Sequence, residues 1–233
     1  MRRIVKNRAP ECLQTFIDGQ LAIEPPVNLT YRDFQGKAAL LAILTAEQLG
    51  LCGYTGAPVD ERISSITCPS GQAKFRSHIE HLKCQAKCRQ ELIDAGLEPG
   101  RDLGEDLSYL NMIAAIEVRG AESEHFGAVR KKDLPLPVLP TQENCDECFK
   151  FREADGGIEG VNEDAVQSIA VVGLDHDTLK GWRRSAIEVW LDPEVIQNRD
   201  DFEKVAKAME MPVNGRLPEF AFVIESIAKD YLR

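Results

Sequence analysis

Three prolines that lie close together, Pro135, Pro137 and Pro140, divide this sequence into two parts of different character. Proline fixes its own backbone angle and lacks an N–H donor, so regular structure is excluded for about six residues here. Before this segment the chain is rich in turns, and extended and helical patterns are mixed. After it, apolar residues recur mainly at helical spacing. The sequence therefore predicts an α+β protein with a mainly α-helical C-terminal region.

Periodicity also predicts individual elements in the first part of the chain. Residues 36–49 have apolar side chains at helical spacing and are followed by Gly50, a residue typical of helix ends. Residues 75–82 are predicted to be extended, and residues 85–95 are predicted to form a helix. Residues 1–35 contain Pro10, Pro25 and Pro26 and show little periodicity, so we expect an irregular arm with one short strand at most.

The last third is predicted to contain four helices. They are expected over residues 164–172, over 178–191 with Asp177 as N-cap, over 201–211 with Asp200 as N-cap, and from Pro218 onwards. Trp182 and Trp190 lie eight residues apart on the second of these helices, and we expect them to pack in the core or an interface.

The composition limits the classes of function. The net charge is −10, and residues 151–233 contribute −7 of it, because they hold 10 basic and 17 acidic side chains. Free-standing nucleic-acid-binding proteins are usually basic, so an additional component is expected if this chain acts on nucleic acid. The longest apolar run, residues 38–44, is far shorter than the roughly 20 residues that span a bilayer. With no secretory signal and an odd number of cysteines, seven, we expect a cytoplasmic protein without a disulfide framework.

The densest group of chemically capable side chains is the segment Ser77-His78-Ile79-Glu80-His81. A carboxylate can hold a divalent cation against a phosphate, and a neighbouring histidine can take a proton from water near neutral pH. In a regular strand His78 and Glu80 face one side and His81 the other, so a strand end or bend is needed to bring Glu80 and His81 together. The alternative is a surface strand whose histidines have only structural partners.

The surrounding sequence resembles the HNH endonuclease family. A turn with Cys52 precedes the Glu80-His81 pair, an apolar segment with Asn111 follows it, and His125 comes next, ahead of a basic cluster. This order is similar to the family's turn, strand, loop and helix, and the resemblance implies a ββα-metal HNH core. It extends over about residues 40–190.

Within that family the resemblance is strongest to the Septu/retron-associated anti-phage proteins, the PtuB type. Residues 44–52, the segment from Pro140 through Cys145 and Cys148 to residue 158, and residues 179–184 carry it. It implies a nuclease subunit in an anti-phage defence complex with a PtuA-like ATPase subunit. The retron reverse transcriptase and its RNA–DNA product are further implied partners.

The resemblance also implies roles for individual residues. His81 matches the general base, Glu80 the acidic metal ligand, Asn111 the asparagine that orders the loop, and His125 the third motif residue, which with Glu80 would hold Mg²⁺ or Mn²⁺. His125 as a solvated loop residue stays open as the alternative. His78 is open between a second metal ligand, an orienting neighbour and a strand position without function.

The basic cluster Arg130, Lys131 and Lys132 has two interpretations. It either contacts phosphate groups near the metal or forms a solvated basic turn. Its place beside the expected HNH helix favours phosphate contact.

The cysteines depart from the family pattern. Many HNH proteins bind a structural zinc through two Cys-x-x-Cys pairs, whereas here the residue three positions after Cys52 is Thr55. Thiolate and imidazole are the usual donors to structural zinc, so threonine does not replace the missing ligand. Cys145 and Cys148 keep the spacing of zinc ligands. A Zn²⁺ site there and a pair of buried reduced thiols are the two alternatives.

Together these features predict an arm with the start of a helix over residues 1–39, an HNH core over 40–150 and a helical region over 151–233 that docks a partner. The predicted function is metal-dependent hydrolysis of phosphodiester bonds in DNA or RNA. One alternative is a non-catalytic interaction subunit that retains the HNH scaffold. Another is a metal-stabilised module that binds nucleic acid without hydrolysing it, which the acidic charge disfavours.

Overall fold

The computed structural model describes residues 1–66 and 74–233, and it has the mixed α+β architecture predicted from the sequence. The helices are α1 Glu11–Leu21, α2 Lys37–Glu47, α3 Gln85–Asp94, α4 Ala128–Lys131, α5 Glu163–Val172, α6 Asp177–Trp190, α7 Arg199–Glu210 and α8 Ala221–Tyr231. The strands are β1 Lys74–His81, β2 Met112–Arg119, β3 Phe149–Phe151 and β4 Ile158–Gly160.

The central feature is the antiparallel pair β1–β2, in which Lys74 pairs with Arg119 and His81 with Met112. From Met112 to Ile116, β2 is completely buried. The free edge of β2 is covered by the turn after α2, since the side chain of Gln48 accepts from the Ala114 N–H and donates to the Ala114 carbonyl. The outward-facing backbone groups of Ala114 are thereby satisfied without a third strand.

The N-terminal arm differs from the prediction, because residues 11–21 form helix α1. Leu13 and Ile17, one helical turn apart, are both buried against the core. The apolar residues Cys12, Leu13, Phe16, Ile17 and Leu21 do recur at helical spacing, but the prolines on either side obscured this pattern. Pro10 precedes the helix as its N-cap residue.

The predicted elements near the hairpin are confirmed: β1, α2 and α3 lie where the sequence indicated, with ends shifted by at most two residues. In the last third the helices are also present, but their starts differ. His176 rather than Asp177 caps α6, and Asn198 rather than Asp200 caps α7. The last helix, α8, begins three residues after Pro218, because Phe220 adopts a left-handed backbone conformation.

An aromatic cluster joins the C-terminal helices to the hairpin. The ring of Trp182 on α6 lies 5.1 Å from that of Phe75 on β1, 5.7 Å from that of Phe126 and 6.5 Å from that of Phe220. Trp190, on the same helix, is partly buried against the core. Both tryptophans therefore pack as predicted. In the part of the chain that the structure describes, no helix has the length and apolar character that crossing a membrane requires.

Candidate active site

The end of β1 carries Glu80 and His81, two of the side chains that the sequence singled out. His81 is the last residue of the strand, and a bend follows it directly. Because side chains alternate along a strand, Glu80 and His81 face different sets of neighbours.

The His81 ring is buried and held through both nitrogens. Nε2 lies 2.9 Å from the carbonyl oxygen of Asp106, and Nδ1 lies 3.5 Å from the side-chain nitrogen of Gln85. A carbonyl oxygen only accepts, so Nε2 carries the proton and Nδ1 holds the lone pair. The ring of Tyr31 packs edge-on against it, with 4.4 Å between centroids. Burial lowers the pKa of this imidazole below its usual value, so it is neutral at pH 7.

The Glu80 carboxylate is surrounded by donors. Oε1 accepts from Lys131 Nζ at 3.0 Å and from the Tyr54 hydroxyl at 3.2 Å, and Oε2 lies 3.6 Å from His78 Nε2. Burial alone would raise the pKa of this carboxyl, but His78 and the Lys131 ammonium outweigh burial and keep the pKa below its usual value. Burial, together with the nearby Glu80, raises the pKa of the Tyr54 hydroxyl, which therefore remains a donor.

Asn111 holds the loop after β1 in place. Its side-chain oxygen accepts from the Lys83 N–H at 2.7 Å, and its side-chain nitrogen donates to the carbonyls of Lys83 at 3.0 Å and Glu105 at 3.2 Å. The Leu82 N–H donates to the Asn111 carbonyl at 2.9 Å. One buried amide thus joins the end of β1, the loop after it and the start of β2.

His125 does not lie near Glu80. Its Nε2–H donates to the carbonyl of Gly120, just beyond the end of β2 at which Arg119 pairs with Lys74. Glu80 pairs with Ile113 near the other end of the hairpin. At about 3.3 Å per residue, the seven residues from Ile113 to Gly120 separate the two sites by roughly 23 Å. A metal ion shared by Glu80 and His125, as the resemblance implied, is not compatible with this arrangement.

The basic cluster is only partly at the surface. Lys131 is 1% exposed, and its ammonium donates to the His81 carbonyl as well as to Glu80. Arg130 donates to the Ala170 carbonyl on α5, and the exposed Lys132 pairs with Glu122 at 3.5 Å. Phosphate contact through Lys131 is therefore blocked by burial, because its charge is already paired beneath the hairpin.

The cysteines with zinc-ligand spacing lie in the core. Cys145 and Cys148 are both buried, and the Cys148 thiol donates to the Asn144 carbonyl. Burial raises the pKa of the Cys145 thiol to about 11, which favours the protonated form over the thiolate that zinc requires. Thr55, at the position of the family's missing cysteine, accepts from the Ala57 N–H within its own turn. Cys68 lies outside the described residues.

Two donors at the site suit a divalent cation. His78 Nδ1 is buried without a hydrogen-bond partner among the described residues, and His78 Nε2 and Glu80 Oε2 are 3.6 Å apart on the same strand face. An imidazole nitrogen and a carboxylate oxygen at this separation can bind one ion, whose other positions are left for water and substrate. Across residues 1–66 and 74–233, no group of three or more His, Cys, Asp and Glu side chains could hold a metal ion.

Several side chains at the site were not identified from the sequence. Tyr31, Asp106 and Gln85 contact the His81 ring, and Tyr54 contacts Glu80. Of these, only Gln85 could have been identified from its sequence position, since it lies four residues after His81 at the start of a predicted helix. The others come from distant segments that tertiary folding brings to the strand end.

A neutral imidazole with a fixed tautomer and a buried carboxylate, both at one strand end, can activate a water molecule beside a bound cation.

No protein-family model matches this sequence, and no curated protein matches it.

Proposed function

We propose that this protein is a metal-dependent endonuclease of the HNH type, with β1, β2 and α4 as its ββα-metal core. The observation that carries the proposal is the His81 ring. The Asp106 carbonyl fixes its Nε2–H, so the lone pair is on Nδ1, and this ring ends the strand that also carries Glu80. The order of hairpin and short helix gives further support.

In the proposed reaction His81 is the general base. Nδ1 accepts a proton from a water molecule, whose oxygen forms a bond to the phosphorus atom while the bond from phosphorus to the leaving sugar oxygen breaks. The Gln85 side-chain nitrogen, at 3.5 Å from Nδ1, lies where this water must come. Gln85 is exposed, so its side chain is free to rotate and let water reach His81.

Glu80 and His78 would hold the divalent cation, Mg²⁺ or Mn²⁺, in place of the pair Glu80 and His125. When bound, such a cation stabilises negative charge on the leaving oxygen. Asn111 acts as a positioning residue, since its bonds to Lys83 and Glu105 keep the loop after His81 in one conformation.

We further propose membership of the Septu/retron-associated PtuB type and a role in anti-phage defence. The acidic region 151–233, with a net charge of −7, would dock a PtuA-like ATPase subunit. That partner would supply the basic surface that a nuclease with a net charge of −10 lacks. A retron reverse transcriptase and its RNA–DNA product would join through the same complex.

One observation favours a second candidate, a non-catalytic interaction subunit with an HNH scaffold. The buried ammonium of Lys131 lies 3.0 Å from Glu80 and compensates the charge that would attract a cation. In this alternative the hairpin is only structural, and the chain acts by tethering its partner.

Cleavage assays on DNA and on RNA decide between the two candidates. Purified protein, alone and with its ATPase partner, is incubated with Mg²⁺, with Mn²⁺ or with EDTA. His81→Gln should abolish metal-dependent cleavage. His125→Gln is the matched control and should retain cleavage, because His125 lies at the far end of the hairpin.

Metal binding is measured separately by titrating Mn²⁺ and following its electron paramagnetic resonance signal. Glu80→Gln should weaken Mn²⁺ binding at least tenfold. A folded protein that binds its partner but cleaves nothing and binds no Mn²⁺ would establish the interaction subunit instead.

A further inference from the structure

A cleft lies directly beside the His81 ring and has no role in the sequence-based prediction. It has a volume of about 330 Å³, and its walls include Thr30, Arg32, Gln85, Arg89, Gly100 and Asp106. One wall is the segment before α2, and the other is α3. A backbone hydrogen bond of 3.0 Å from the Leu29 N–H to the Gly100 carbonyl closes one side.

Residues that line the cleft also contact the proposed catalytic base, His81. Gln85 and Asp106, which contact the two nitrogens of His81, both line the cleft. Tyr31, which packs on the same ring, lies between the lining residues Thr30 and Arg32. A group bound in the cleft therefore lies against Gln85 and Asp106, the two residues that contact the nitrogens of His81.

The free hydrogen-bond donors of the cleft suit an anion. The side chains of Arg32 and Arg89 are exposed, and neither makes an ion pair or a side-chain hydrogen bond to any residue that the structure describes. Two carboxylates also line the cleft and balance the arginines in formal charge: Asp33 accepts from the Thr30 hydroxyl at 2.5 Å, and Asp106 accepts from the Tyr31 N–H at 2.9 Å. Two free guanidinium groups remain.

Arg89 is also placed for this role by its helix. It follows Gln85 by four residues on α3, so the two side chains lie on one face of the helix, one turn apart. Guanidinium groups offer paired N–H donors that match the oxygens of a phosphate. The buried and paired Lys131 offers no such donor to a ligand.

We propose that this cleft binds the phosphodiester backbone of one nucleic-acid strand, with Arg32 and Arg89 donating to phosphate oxygens beside His81. The inference rests on the proposed nuclease function, and it moves phosphate recognition from residues 130–132 to these two arginines. The shared chemistry is the phosphodiester, so DNA and RNA strands are tested in parallel.

Binding is measured apart from cleavage, by fluorescence anisotropy of short labelled single strands of DNA and RNA in EDTA. The unmodified protein is compared with Arg32→Gln, Arg89→Gln and the double variant, over a salt series starting near 50 mM. Arg184→Gln and Lys132→Gln are the matched controls, because each removes one exposed positive charge away from the cleft.

Each arginine variant should weaken binding about tenfold and lower the slope of log affinity against log salt by about 1. The controls should stay within about twofold of the unmodified protein. Equal effects in cleft variants and controls, or no binding by the unmodified protein at the lowest salt, would overturn the inference.

The outcome also separates this inference from the proposed function. If cleavage needs His81 but is unaffected in the Arg32→Gln/Arg89→Gln variant, the proposed nuclease function is supported and phosphate binding in the cleft is rejected. Binding that depends on both arginines, with no cleavage under any condition, supports the cleft and rejects the nuclease.

Discussion

Lys131 is the side chain whose position most affects the chemistry of the site. It comes from the short helix α4, about 50 residues after Glu80, and its ammonium is buried against the Glu80 carboxylate and the His81 carbonyl. A buried ion pair contributes little net stability, but removing one partner leaves an uncompensated charge in the protein interior. Lys131 and Glu80 are therefore expected to depend strongly on each other.

A double-mutant cycle tests this dependence. Glu80→Gln and Lys131→Met should each lower the free energy of unfolding by about 3–5 kcal/mol, because each leaves a buried charge. The double variant should lose less unfolding free energy than the two single variants added together, with a coupling energy of about 1–3 kcal/mol. Urea unfolding measures all three.

The exposed pair Arg184 and Glu188 on α6 provides the matched cycle. Its coupling should be below about 0.5 kcal/mol, because solvent screens it. Additive effects at Glu80 and Lys131 would contradict a direct ion pair between them.

At the scale of elements, the hairpin β1–β2 is interrupted between its strands by a long connection that includes α3. Asn111 substitutes for a tight turn, since its amide bonds to Lys83 and Glu105 bring the ends of this connection together. The ion pairs from Lys83 to Glu91 on α3 and to Glu105 add to the same junction.

Asn111→Ala should lower the free energy of unfolding by about 3 kcal/mol, because it leaves the part-buried N–H of Lys83 without a partner and removes one donor from each of the carbonyls of Lys83 and Glu105. Hydrogen exchange of the Lys83 amide should become faster. The control is Asn162→Ala, which removes a single helix-capping bond to the Ala165 N–H and should cost about 1 kcal/mol. Equal losses in the two variants would show that Asn111 does not hold the junction.

At the scale of the whole molecule, the C-terminal region is tied to the core by a second polar junction. Asp60 accepts from Arg62, and Arg62 in turn donates to the Leu217 carbonyl at 2.9 Å. The Leu217 N–H donates to the carbonyl of Leu49, two residues after α2. Burial alone would raise the pKa of Asp60, but hydrogen bonds from Arg62 outweigh it, and the pKa of this carboxyl is lowered.

Because the pKa of Asp60 is lower in the folded state, its contribution to stability is complete above its unfolded pKa, about 3.8, and is lost as pH falls through the lower folded value. Asp60→Asn should lower the free energy of unfolding by about 2 kcal/mol at pH 7. This difference in unfolding free energy between the variant and the unmodified protein, the gap, should become smaller in acid below pH 3.8. Urea unfolding at decreasing pH measures the gap. Glu61→Gln, at the exposed neighbour, should have little effect at any pH, and a gap for Asp60→Asn that stays constant in acid would contradict the assignment.

Local sequence was sufficient for the elements around the site. The apolar spacing in residues 36–49, the extended pattern that ends at His81 and the helix after Cys84 all depend on neighbours a few residues apart, and the structure has α2, β1 and α3 there. The same local order placed Glu80 and His81 together. Helix α1 has the same kind of local apolar spacing, and it was missed because Pro10, Pro25 and Pro26 led to the prediction of an irregular arm.

The sequence by itself determined the α+β class, the helical last third and the group of His78, Glu80 and His81 on one short segment. Only the tertiary structure decided their partners: Lys131 beneath Glu80, Asp106 and Tyr31 around His81, His125 far from both, and Arg32 and Arg89 across one cleft. The physical reason is the separation along the sequence over which each kind of interaction acts. Periodicity and motif spacing report contacts within a few residues, whereas burial and charge pairing depend on which distant segments the fold brings together.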